Sequence, residues 1–183
     1  MKNNLLFFGL FIFQIGFSQE SQNTDDKAKH TYVKFDLSMP FKANPNAGEI
    51  DPYTGEKGYW FVPDGLNARV GFGAHYDKWI GGGINTGIDW KDSECLVIAP
   101  IFGSIRLSPK VGEETRLTLD VGFGRSLTLS GEHLSGYFKK ISFGIENDEV
   151  GLGIFIELVD YGFSKNLPDD IGSFTIGLSY LMF

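Results

Sequence analysis

The 183-residue chain predicts an all-β fold, a closed antiparallel transmembrane β-barrel of about eight strands, from three observations. Hydrophobic residues alternate with polar or small ones along most of the chain. Glycines gather on the polar phase of that alternation, and aromatic residues gather near the ends of the alternating segments.

The clearest segment is residues 116–125. Successive side chains of a strand point to opposite sides, so Leu117, Leu119, Val121 and Phe123 share one face, and Arg116, Thr118, Asp120, Gly122, Gly124 and Arg125 supply the other residues. The first predicted strand covers residues 30–39, with Val33, Phe35, Leu37 and Met39 set against Lys34, Asp36 and Ser38. Residues 40–65 then break the periodicity with Pro40, Pro45, Pro52 and Pro63, which predicts the longest loop of the chain.

Leu66, Ala68, Val70, Phe72, Ala74 and Tyr76 alternate with Asn67, Arg69, Gly71, Gly73 and His75, and Asp77-Lys78 predicts a tight turn. Ile80 to Trp90 and Val97 to Leu107 continue the pattern, with Pro100 predicting a bulge or a locally broken pair because proline lacks a ladder donor. Tyr137 to Ile145, Leu152 to Leu158 and Phe174 to Met182 complete the alternation, with a sharp turn expected at Asn147-Asp148. With the amino terminus in the periplasm, connections after odd strands should be long and external and those after even strands short. The turn at residues 109–115 is longer than that rule expects.

The first residues read as an export signal. Lys2 precedes the apolar run from Leu5 to Phe13, and Gly16-Phe17-Ser18 supplies small residues for cleavage. The domain boundaries that follow are a signal peptide at residues 1–18, a disordered periplasmic lead-in at 19–29, and the barrel at 30–183. The formal net charge of −7 becomes −8 when Lys2 leaves with the signal, which argues against nucleic acid or polyanionic surfaces as partners. The single Cys95 has no intrachain partner for a disulfide and reads as a quiet free thiol.

A soluble barrel also alternates, with its apolar face inward, so periodicity alone does not choose between the two. The glycines do. Gly71, Gly73, Gly81, Gly83, Gly87, Gly122, Gly124, Gly144, Gly151 and Gly153 fall on the polar phase, where each weakens a merely solvated strand. Inside a narrow barrel they leave room for Lys34, Arg69, Arg106 and Lys140, which can meet Asp36, Asp89, Asp120 and Glu157 there. Tyr76, Trp79, Trp90, Tyr137, Tyr161 and Phe183 lie where interfacial aromatic girdles belong.

The chain ends Ser179-Tyr180-Leu181-Met182-Phe183. That ending, with the export signal and the repeated strands, resembles the small outer-membrane β-barrel families of Gram-negative bacteria over nearly all the mature chain. The resemblance implies location in the outer membrane, contact with outer-membrane lipid, and a terminal Phe183 read by the barrel-assembly machinery. By alternation Tyr180 and Met182 share the lipid phase and Phe183 falls one step out, an offset that a terminal bulge would repair.

Motifs that carry chemistry are few. His133-Leu134-Ser135, with Glu146 and Glu149, loosely resembles the His-x-Ser plus Glu arrangement of outer-membrane lipid A deacylases. Gly136 replaces the usual Asn, and Glu146 falls at the far end of its strand from Ser135, so an ordinary polar loop is the stronger reading. Glu49, Asp51, Glu56 and Asp64 match no cation-loop spacing and read as a solvated acidic loop. No metal or cofactor is expected. The residues proposed for recognition are Phe41, Tyr53, Tyr59, Trp60 and Phe61, aromatic anchors in the longest loop. Alternatively, residues 59–61 continue the second strand above the membrane or cap the barrel mouth. The expected role is non-enzymatic, whether structural, adhesive or binding, through external loops whose ligand the sequence does not name. A narrow or gated channel is the first alternative, a lipid A-modifying enzyme the second.

Overall fold

A computed structural model of the protein describes residues 30–44, 47–50, 55–130, 135–163 and 171–183. The expected signal at 1–18 and lead-in at 19–29 lie outside the described residues, as do Tyr53 and His133. The elements are β1 (Thr31–Ala43), β2 (Phe61–Pro63), β3 (Gly65–Tyr76), β4 (Ile80–Lys91), β5 (Leu96–Leu107), β6 (Thr115–Thr128), β7 (Ser135–Asn147), β8 (Leu152–Phe163) and β9 (Ile171–Met182). All pairings are antiparallel, and the eight long strands follow one another around the sheet in chain order, β2 pairing only with β1. β1 pairs with β9 from Val33↔Met182 to Phe41↔Phe174, which closes the sheet into a barrel.

Exposure separates a membrane barrel from a soluble one. Outward Phe72, Ile84, Ile105 and Phe123 are each more than 60% exposed, whereas Lys34, Arg69, Asp89, Arg106, Asp120, Lys140 and Glu157 are buried inside. Such a molecule is the inverse of a water-soluble barrel and fits an apolar surrounding.

Several local expectations change. The first strand does not stop at residue 39 but runs through Pro40 to Ala43. The following segment is not aperiodic either, because β2 returns along β1 with Phe41↔Pro63, Lys42↔Val62 and Ala43↔Phe61. Below that point β1 pairs with β3 up to Ser38↔Asn67. Asp64, Gly65 and Leu66 therefore oppose only Met39 and Pro40, a bulge with one extra residue. Pro40 has no N–H for the ladder, its carbonyl accepts from the Asp64 amide, and Gly65 takes the required φ of +126°. β2 is thus the upward continuation of β3, and of residues 59–61 it includes Phe61 alone.

Pro100 breaks the β4–β5 ladder between Thr86↔Ile101 and Asp89↔Ile98 without shifting its register, so there is a broken pair and no bulge. The Asp77-Lys78 turn has φ of 50° and 53°, the signature of a tight hairpin. Gly151 is a turn residue at φ +70° and not part of the lumen wall's strands. Arg125 shares the outward phase of Val121 and Phe123 and is exposed, so its assignment to the polar face is corrected.

Two expected girdle residues lie elsewhere. Tyr161 is fully buried in the lumen. Phe183 packs edge-on against His75 at 4.8 Å between ring centroids, with Lys78 Nζ 4.5 Å from its ring centre, so it closes the end at which β1 begins, the periplasmic end in the orientation expected from sequence. The register of β9 holds through Met182, and no terminal bulge intervenes.

Val121→Arg should destabilise the reconstituted barrel by roughly 2–4 kcal/mol, because it places a cation at mid-depth on the lipid face, and Leu129→Arg beyond the external end of β6 by at most about 1 kcal/mol. Urea titrations in lipid vesicles would measure both, and equal costs would contradict the assigned faces.

Candidate functional site: a filled lumen and an external ribbon

The lumen of an eight-stranded barrel has space for side chains and little else. Its lower half holds Lys34 between Asp36 and Asp120, both at 2.9 Å, and Arg106 paired with Glu146. At mid-height Arg69 from β3 donates from Nε and Nη2 to the two oxygens of Asp89 on β4, each at 2.9 Å, and from Nη1 to Glu157 on β8 at 2.6 Å. Lys140 donates to the other oxygen of Glu157 at 3.0 Å, and the Tyr161 hydroxyl donates to Asp89. Lys34, Arg69 and Lys140 meet the carboxylates expected from sequence, whereas Arg106 takes Glu146 instead; two of the pairs cross the lumen, Arg69 reaching from β3 to β8 and Lys34 from β1 to β6.

The expected all-polar lumen is corrected in its external half. Ile98, Phe102, Phe138, Val159, Tyr161 and Phe163 form a buried apolar cluster there. Phe102 and Phe138 pack tilted at 4.5 Å between ring centroids, and Phe138 meets Tyr161 edge-on at 5.5 Å. Inward glycines make this packing possible. A Cβ at Gly124 would stand 2.6 Å from the Phe102 Cβ, and one at Gly122 would stand 2.9 Å from both Phe102 and Lys140. The Arg69 guanidinium lies 5.3 Å from the Phe138 ring centre and Lys140 Nζ 5.3 Å from that of Phe102, so the charged layer and the aromatic layer share one interface. Together they bridge the described lumen from wall to wall, which weighs against a conducting path.

Above the barrel, β1 and β2 continue as a two-stranded ribbon. The Asn44 amide donates to the Trp60 carbonyl, Gly48 and Gly58 donate to each other's side of the ribbon through Gly58 and Glu49 carbonyls, and Ile50 bridges Lys57. Of the proposed recognition residues, Tyr59 and Trp60 stand out at 77% and 74% exposure. Phe41 and Phe61 lie lower, beside the wall. Both lie on the outward phase and meet Phe174 of β9 at 6.5 and 6.3 Å, an aromatic group at the external rim of the lipid face. Trp90, exposed on β4, and Tyr137, whose ring covers Gly162 of the neighbouring strand, extend that girdle.

No family model and no curated protein matches the chain. Among solved structures the chain is similar to Ail, the attachment invasion locus protein of Yersinia pestis, at 12% identity with a TM-score of 0.41. It is similar to Ail in complex with the heparin analogue sucrose octasulfate at 13% identity with a TM-score of 0.36, and each match covers 84% of this chain and 99% of that one. The chain has the architecture of the small outer-membrane barrels. We take that from its own strand pairing and outward apolar face.

The remaining sequence candidates separate in space. Ser135 opens β7 at its external end opposite Leu127, whereas Glu146 lies near the other end opposite Arg116 and is held by Arg106. Glu149 sits in the exposed β7–β8 turn, so neither carboxylate reaches Ser135. Asp64 is not a solvated loop acid, because it is buried at the bulge and accepts from the Ser93 amide at 2.9 Å. Sequence reasoning missed Phe163 and the lumenal role of Tyr161. The signal available was a pair of aromatics two residues apart on the phase of Glu157.

At the periplasmic rim Asp148 gathers Arg116 at 2.7 Å, Lys110 at 3.5 Å and Lys78 at 3.7 Å. The Arg116 hydrogen bond holds the Asp148 carboxyl below the usual carboxylate range. A depressed folded-state value contributes stability above the unfolded carboxylate's pKa and loses it as pH falls through the folded value. Asp148→Asn should therefore lower stability at neutral pH and flatten the acid limb of a stability–pH profile. Within the lumen, Arg69→Ala leaves Asp89 and Glu157 without their shared cation and should cost roughly 3–5 kcal/mol in urea unfolding, part of which Asp89→Asn restores.

Proposed function

We propose that this chain is an exported, non-enzymatic outer-membrane barrel that binds an external partner through the ribbon whose described residues are 41–44, 47–50 and 55–63. The signal at residues 1–18 and the lead-in at 19–29 supply export and a periplasmic amino terminus, and the barrel-assembly machinery inserts the chain. The observation that carries the reading is the exposure of Tyr59 and Trp60 at the base of a ribbon that rises from a closed barrel. Large rings held by a hydrogen-bonded ladder lose little conformational freedom on binding, and aromatic anchors dominate interface energies. Ile50, 63% exposed near the tip, adds apolar surface to the same element.

The mature chain should fractionate with outer membranes and migrate differently in boiled and unboiled detergent gels, because a closed barrel resists unfolding. Recovery as a soluble periplasmic monomer would sink the proposal. Replacing residues 43–57 with a short Gly-Ser linker, or making Tyr59→Ala/Trp60→Ala, should leave the gel shift intact and abolish wild-type adhesion to intact cells. Adhesion that survives both changes would move the site to another loop, and unitary steps in planar-bilayer recordings would instead support the channel.

A further inference from the structure

Among the described strand residues, the outward-facing charges are Arg125 on β6, Lys139 on β7 and Asp160 on β8. They are not scattered. Lys139 pairs in register with Phe123 on one side and Asp160 on the other, and Arg125 pairs with Tyr137, two residues from Lys139 along β7. Arg125 and Lys139 are therefore diagonal neighbours on one face. Both stand in the external halves of their strands, above the outward apolar rows Val121 and Phe123 on β6 and Ile141, Phe143 and Ile145 on β7. Elsewhere on the wall the outward rows carry no charge, with Leu66 on β3, Trp90 on β4 and Phe174 on β9 at the external end, and on β6 itself Leu127 follows Arg125 at the rim.

A cation on the lipid side of a barrel is costly unless it reaches an anion or water. Arg125 is exposed and makes no ion pair or hydrogen bond among the described residues. Lys139 is 55% exposed at its side chain, lies 4.3 Å from the Tyr137 ring centre, and approaches Asp160 only to 4.0 Å. The Tyr137 ring fixes the Lys139 ammonium beside the aromatic girdle, the depth at which lipid headgroups begin. Two cations against one carboxylate leave a net positive patch at that depth, within a chain whose formal charge is −7.

We propose that Arg125 and Lys139 form the headgroup site for a phosphorylated lipid of the outer leaflet, with its acyl chains lying over Phe123 and Ile141. A phosphate suits the pair, because a guanidinium binds two phosphate oxygens at once and an ammonium adds a compact second charge. The site rests on the outer-membrane reading above, and the test separates the two.

Wild type and R125Q/K139Q would be reconstituted in phosphatidylcholine nanodiscs doped with either bisphosphorylated or dephosphorylated lipid A, and retained lipid counted by native mass spectrometry. Wild type should retain the bisphosphorylated form about tenfold better, as two surface cations allow. The double variant should lose that preference, and Lys110→Gln at the periplasmic rim should keep it. Equal retention of both lipids by wild type, or an undiminished preference in the double variant, overturns the site while leaving the barrel reading intact. Displacement of the lipid by excess inorganic phosphate overturns it too, because the ligand would then be the free ion. A wild type that does not insert into nanodiscs ends the outer-membrane reading and the site with it. Should R125Q/K139Q fail to fold, Lys139→Gln alone, at a largely exposed side chain, should reduce the wild-type preference, and an unchanged value counts against the site.

Discussion

Backbone amides and carbonyls inside hydrocarbon have no water to turn to, so a sheet that crosses a membrane must have no free edge. In this chain that constraint falls on the pairing of β1 with β9, which joins the first and last strands over nine residue pairs. Everything else follows from closure. A closed sheet fixes an inside and an outside, and the period of two assigns each residue to one of them. A one-residue slip anywhere would carry Lys34, Arg69 or Lys140 to the lipid side, so the charges hold the register as firmly as the hydrogen bonds do.

Closure with eight strands also makes the lumen narrow, and this governs its chemistry. Charges there are removed from water and from salt, so each needs a partner within reach. The ion pairs are correspondingly shared: Asp120 serves Lys34 and Lys140, Glu157 serves Arg69 and Lys140, and Asp89 takes both Arg69 and Tyr161. Such a network is weak evidence for net stability, since its desolvation cost is of the same order as its Coulomb gain. Its clearer consequence is geometric. Because Lys34–Asp120 and Arg69–Glu157 span the lumen, the barrel cannot shear or widen without separating buried charges.

How much of this was legible in the sequence divides along the same physical line. Periodicity reports the face of a side chain, and it placed the eight long strands and most of their phases. It does not report what fills a lumen. Phe102 and Phe138 sit on the phase of Lys140 and Ser142, and counting that phase as polar hid the aromatic cluster. The compensating sign was Gly124, which pairs with both Phe102 and Phe138 and leaves the gap that the rings occupy. The ribbon was hidden for a different reason. Pro40, Pro45, Pro52 and Pro63 read as breakers, yet the bulge at Asp64 and Gly65 absorbs the missing donor of Pro40, and the edge position of β2 tolerates Pro63. Arg125 was misplaced because a charge beside a glycine run suggested the lumen, although its odd number put it outward.

The two ends of the barrel are built differently. At the periplasmic end short turns are tied down: Phe183 lies against His75 and Lys78, and Asp148 draws together Arg116, Lys110 and Lys78. At the external end β1 and the β2–β3 strand leave the wall and remain paired to each other. That difference bears on the proposed recognition. A flexible loop must be ordered when it binds, at roughly 1–2 kcal/mol for each backbone residue fixed. A ribbon already ordered by its own ladder and seated on a closed barrel avoids much of that cost. The bulge at Asp64 and Gly65 is the point where this advantage originates, because it lets the ladder pass Pro40 and carry rigidity from the membrane wall to Tyr59 and Trp60.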